Sequence, residues 1–151
     1  MTSAKPLVID PVLVYQTYFG GTGSESATAI AVNSAGEAFI TGTAPSLGFP
    51  GSPIPGANGS GGNAFVLKLN AAGTAVVYSS YFGGDAVDSG NSIAVDASDN
   101  VYVAGQTQSF NFPTAGPAFQ NSKRGGAQML KTTDGGANYA APAWRDCRRQ
   151  T

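Results

Sequence analysis

Apolar residues in this chain come in short runs, and turn-forming residues interrupt each run well before it reaches helical length. The first set of runs covers residues 13–19, 28–32, 37–41 and 64–69. The second covers 76–82, 92–95, 100–104 and, more weakly, 128–132. The runs are rich in Val, Ile, Tyr and Phe, and "GG", "NSAG", "DASDN" and a Gly/Pro/Ser stretch over 45–62 separate them. No segment shows a helical period, so the pattern predicts eight short strands and an all-β fold. "NSAGEAF" and "DASDNVY" read as tight hairpin connections: Asn33 or Asp96 bonds its own backbone, and Gly36 or Asn100 takes the left-handed conformation.

The two sets are copies of one unit. "YFGG" stands at Tyr18-Phe19-Gly20-Gly21 and again, 63 positions later, at Tyr81-Phe82-Gly83-Gly84; at that offset 19 of the 55 residues from 14 to 68 are identical to their partners. Roughly one in fifteen would match by chance. The identities fall on apolar and glycine positions: Ile30-Ala31-Val32 with Ile93-Ala94-Val95, Gly42 with Gly105, Phe49-Pro50 with Phe112-Pro113, and Leu67-Lys68 with Leu130-Lys131. A unit of this length with four antiparallel strands has the pattern of a β-propeller blade. The period divides the chain into a lead-in over 1–11, blades over 12–74 and 75–137, and an irregular basic tail over 138–151. The small Ala at the centre of each Ile-Ala-Val triplet suits a strand packed between adjacent blades.

Composition agrees with many turns and little helix. Only 11% of the 151 residues are charged and 21 are glycine, against about 25% charged in an ordinary soluble domain. A net charge of −1 supplies no field to attract nucleic acid or an anionic membrane. Six of the eight basic residues follow position 120, but no aromatic side chains interleave with the arginines of "RDCRRQT", which reads as a solvated tail.

"PVLVYQTYFGG", "AIAVNSAGEAFITG", the Phe-Pro pair and "NAFVLKLNAAGTAVVYSSYFGG" occur in order and at consistent spacing, and over about residues 7–131 the chain resembles the bacterial β-propeller repeat called SBBP. The resemblance implies a propeller in an exported or cell-surface bacterial protein, with no enzymatic activity common to the family. Gln128 in place of a second Phe65, Thr132 in place of a second Leu69, and the loss of pattern after Gly136 depart from it. "TTDGGANY" resembles the Asp-box turn of sialidase-like propellers. In those families this turn stabilises a hairpin away from the catalytic centre, which implies a structural role for Asp134, Gly136 and Tyr139.

Sites for chemistry are few. The chain has no His and a single cysteine, Cys147, so an imidazole base, a His-containing metal site, an internal disulfide and a Cys-pair metal site are all excluded. Asp85, Asp88, Asp96 and Asp99 lie within fifteen residues, but they do not follow EF-hand spacing, and the first repeat keeps an acid at only one of the four positions, Glu25. They read as a solvated loop, although a calcium site and a carboxylate pair stay open. "GTGSES" lacks the Lys and the helix of a phosphate loop. No cofactor and no catalytic or metal residue is expected.

Tyr18, Gly20, Gly21, Ile30, Gly42, Tyr81, Gly83, Gly84, Ile93 and Gly105 are therefore expected to be structural repeat positions. Ligand recognition is expected in the loops that drift between the repeats, 22–28 against 85–91 and 51–62 against 114–125, which carry Glu25, Asp85, Asp88, Lys123 and Arg124. The expected partners are further propeller blades, through a longer chain or self-association, and a glycan or protein ligand, with no nucleic acid. The sequence shows neither a signal peptide nor a membrane span, yet the low charge, the abundant Gly, Ser and Thr and the family resemblance point to export, so a piece of a longer exported or cell-surface chain is the expectation. The alternatives are a carbohydrate-active propeller with its catalytic residues elsewhere, and a fragment without independent function.

Overall fold

The computed structural model describes residues 12–45, 48–50, 52–53, 61–115, 118, 120 and 127–132. The fold is all-β, and the described residues contain no helix. Strands β1 (Ser26–Val32), β2 (Ala38–Ala44), β4 (Asn63–Leu69) and β5 (Val76–Phe82) form an antiparallel sheet, and the two-residue β3 (Ser52–Pro53) lies parallel to β5 at its edge. Strands β6 (Asp88–Val95), β7 (Val101–Thr107) and β8 (Ala127–Thr132) form a second antiparallel sheet.

The sheets share one register. Ile30 lies opposite Ile40 and Ile93 opposite Val103; Gly42 lies opposite Phe65 and Gly105 opposite Gln128. Even the irregularities repeat, with bulges between Ala27 and Ala29 in β1 and between Gly90 and Ser92 in β6. Each bulge swings a carbonyl across the facing strand, so that a Cβ on Gly42 would overlap the Ser26 oxygen and one on Gly105 the Ser89 oxygen. Glycine recurs there because only hydrogen fits.

The hairpin turns repeat as well. Asn33 Oδ1 accepts the Ala35 and Glu37 N–H groups, and Asp96 Oδ1 accepts those of Ser98 and Asn100. The left-handed residues are Gly36 (φ 80°) and Asp99 (φ 62°). The expectation of Asn100 at this place is thus corrected by one residue: Asp99 is the true equivalent of Gly36, and a short polar side chain tolerates positive φ.

Residues 13–19 are not a strand, although their equivalents form β5. The reason lies in the phase of the sheets. β5 belongs to the second repeat by sequence but bonds to β4 of the first, with Ala64 opposite Phe82 and Phe65 opposite Tyr81. The first sheet therefore spans 26–82, offset from the sequence unit 12–74. By the same rule residues 13–19 would bond to a sheet preceding β1, and a lone segment does not hold strand geometry.

Two apolar clusters form the core. Ile40, Phe49, Phe65, Leu67, Leu69 and Tyr81 pack on one face of the first sheet together with Phe19. Phe39, Ala64, Val66 and Phe82, on its other face, meet Val101 and Val103 of the second sheet, with Ile93, Val95 and Phe112 packed against them, and bind the sheets together. Gly90 makes the close approach possible: a Cβ there would overlap Thr41 Oγ1, and the Thr28 hydroxyl donates to the Gly90 carbonyl. The small residue at the junction is thus this glycine, whereas Ala94 faces solvent and Ala31 is half-buried.

Candidate functional site

The second Gly-Gly pair sits where β5 gives way to β6, and side-chain oxygens close on it from three segments. The Asp88 carboxylate is fully buried; its Oδ2 accepts the Gly84 N–H at 2.7 Å and the Ser109 hydroxyl at 2.7 Å. Ser109 Oγ in turn accepts the Ala86 N–H at 2.9 Å, and Thr107 Oγ1 accepts the N–H of Ser109 at 3.1 Å. A Cβ on Gly83 would lie 2.5 Å from both Asn63 Oδ1 and Asp88 Oδ2, which is why both residues of the pair lack one. Among the described residues, Asp88 Oδ1 and Asn63 Oδ1 are buried without a hydrogen-bond partner.

Outside this buried lock lies a polar and aromatic rim. Asp85 is exposed; its N–H donates to Asn111 Oδ1 at 2.8 Å and its Oδ1 accepts the Phe110 N–H at 3.2 Å. Phe110 is 81% exposed, and Val87 is also exposed nearby in sequence. A carboxylate, an amide and an exposed aromatic ring on one corner can hold a ligand by hydrogen bonds and apolar contact.

The loop expectation is corrected at Asp88: β6 begins there, its N–H bonded to the Gly62 carbonyl at 2.9 Å, and the side chain is inside the corner. Glu25, its equivalent, is half-buried immediately before β1 with Oε2 close over Gly20 (φ 151°). Lys123, Arg124, Asp134, Gly136 and Tyr139 lie outside the described residues. The sequence reading missed Ser109, Phe110 and Asn111; the identity of Ser109 with Ser46 at the repeat offset was a signal that could have marked it, whereas Phe110 and Asn111 have no identical partner.

A second polar cluster joins the two hairpin turns. Lys68 Nζ stands 2.7 Å from Glu37 Oε2 and 3.6 Å from Asp99 Oδ2, 5.0 Å above the centre of the Phe39 ring. Asn33 Nδ2 donates to both carboxylates, so the turns of the two sheets share one lysine and one amide. The Lys68 hydrogen bond, followed by that of Asn33, holds the Glu37 carboxyl below its ordinary value. Hydrogen bonds, first from the Asn100 side chain, do the same for Asp96. The Glu37 interaction belongs to the joint between the sheets, whereas that of Asp96 stays within its own hairpin.

The aromatic residues of the Phe-Pro turns complete the repeat. Phe19 and Phe49 meet edge to face at 6.4 Å and 88°, and their equivalents Phe82 and Phe112 do so at 6.4 Å and 82°. Residues 77–113, which hold β5 through the second Phe-Pro turn, match the family model described as Beta-propeller repeat, SBBP. The chain carries an SBBP β-propeller repeat. Outside the matched stretch, the first sheet has the same register, bulge and ring pair as the second. SBBP is a structural repeat, and the identical glycines Gly42 and Gly105 and the identical Phe49 and Phe112 serve backbone approach and packing in both sheets. No curated protein matches the chain. The described residues hold no group of three or more His, Cys, Asp or Glu placed to bind a metal, and no helix among them is long and apolar enough to cross a membrane.

Proposed function

We propose that the chain is a non-enzymatic β-propeller module that acts as a scaffold and binding surface in an exported or cell-surface bacterial protein. The observation that supports it most is the division of labour at the Gly-Gly corner: Asp88 and Ser109 are buried and hold the backbone beside the glycines, while Asp85, Phe110 and Asn111 on its rim are exposed. Rigid repeats that present drifting surface residues are a recognition architecture, and fold alone does not supply an activity. The low charge and the abundance of Gly, Ser and Thr suit an extracellular surface.

Glycan and peptide arrays probed with the protein test the reading. Wild type is expected to bind a discrete set of probes; Phe110→Ala and Asp85→Ala should each weaken that binding at least tenfold without lowering the melting temperature. Binding unchanged by both substitutions, or binding to no probe, would contradict a recognition role and leave a spacer.

A further inference from the structure

The chain holds two outer-strand sequences and two inner three-strand sets, but they are out of step. The outer strand β5 closes the first sheet, whereas β8 pairs with β7 alone among the described residues, and no third "YFGG" follows it. Meanwhile residues 13–19, the other outer-strand sequence, stand ahead of β1 and pair with no strand among the described residues. Tyr18 is 93% exposed where its equivalent Tyr81 is 7% exposed, and Ile30 and Val32 are exposed where Ile93 and Val95 pack against the neighbouring sheet. One partner would satisfy every one of these positions: a sheet shaped like β6–β8, placed immediately before β1.

We propose that a second copy of this chain supplies that sheet, its β8 edge accepting residues 13–19 as an antiparallel outermost strand, so that copies associate head to tail. The inference rests on the blade reading above and goes beyond it by fixing the register. Shifting the observed β4–β5 pairing back by one repeat on β5 and forward by one on β4 sets Thr17 opposite Met129, because Ser80 lies opposite Val66. It sets Tyr18 opposite Gln128 and Gln16 opposite Leu130 in the same way. Such an interface is heterologous, so successive copies can close into a ring or extend as a filament. Main-chain hydrogen bonding to an open edge gives affinity, and the paired register gives specificity.

The test is disulfide trapping in the full chain with Cys147→Ser. A mixture of Thr17→Cys and Met129→Cys chains should give a cross-linked dimer of unlike chains under mild oxidation, and a mixture of Thr17→Cys and Lys131→Cys chains several-fold less, since a two-residue slip exceeds disulfide reach. Neighbouring residues alternate in donating to a ladder. One of Gln16→Pro and Thr17→Pro should therefore turn the wild-type oligomer into a monomer in light scattering, with the circular dichroism of the sheets unchanged. A wild-type monomer with intact sheet signal, or equal trapping at 129 and 131, overturns the proposal and spares the blade reading. Loss of sheet signal in the wild type overturns both.

Discussion

At the scale of single residues, the fold depends on places where nothing larger than hydrogen fits. Gly42 and Gly105 each face a carbonyl that a bulge pushes across the sheet, so a methyl at either has no room without moving backbone. Gly105→Ala is expected to cost about 1–3 kcal/mol, in the range of overpacking, read as a fall in the midpoint of urea unfolding; an unchanged midpoint would contradict the bulge geometry. The charged residues make a separate prediction. Glu37 and Asp96 titrate below their ordinary values of 4.5 and 3.8 in the folded chain, Glu37 chiefly through Lys68 and Asp96 chiefly through Asn100. A depressed carboxyl stabilises the fold above its unfolded value and loses that effect as pH falls through the folded one. Stability should hold steady from neutral pH to about 5 and decline below about 4.5. Lys68→Met should remove the Glu37 share of that decline, and an acid limb identical in this variant would contradict the ion pair.

At the scale of elements, the rings of the Phe-Pro turns act as packing. Phe49 is buried against Phe19 and Phe65, so Phe49→Ala is expected to destabilise by about 3 kcal/mol, while Phe110→Ala, on the rim, should stay within about 0.5 kcal/mol. Equal effects in denaturant unfolding would contradict the separation of plug from rim. Seven of the eight expected strands, their turns and the glycine positions were legible in the sequence because they follow from short-range rules: alternation, an Asx residue to fold a turn, and identity at a fixed offset. The phase was not, since a period has no origin, and only the hydrogen bonds from Ala64 to Phe82 reveal that β5 closes the earlier sheet. Asp88 was misread as surface for a related reason. Its burial depends on Gly84 and Ser109, one four residues away and the other in a different turn, and local polarity carries no record of them.

At the scale of the whole molecule, the two sheets are joined by apolar packing of Phe39, Val66 and Phe82 against Val101 and Val103, by the glycine approach at Gly90, and by one lysine shared between turns. This junction is the unit that a propeller repeats around its axis. The most direct test of the account is a crystal structure of the protein, read by superposing β1, β2 and β4 on β6, β7 and β8. The account predicts that the strands coincide with both bulges aligned, Ala27 over Gly90 and Ala29 over Ser92, through a single rotation about an axis running beside β1 and β6. Displaced bulges, a different strand order in the second sheet, or sheets related by a simple translation would contradict it.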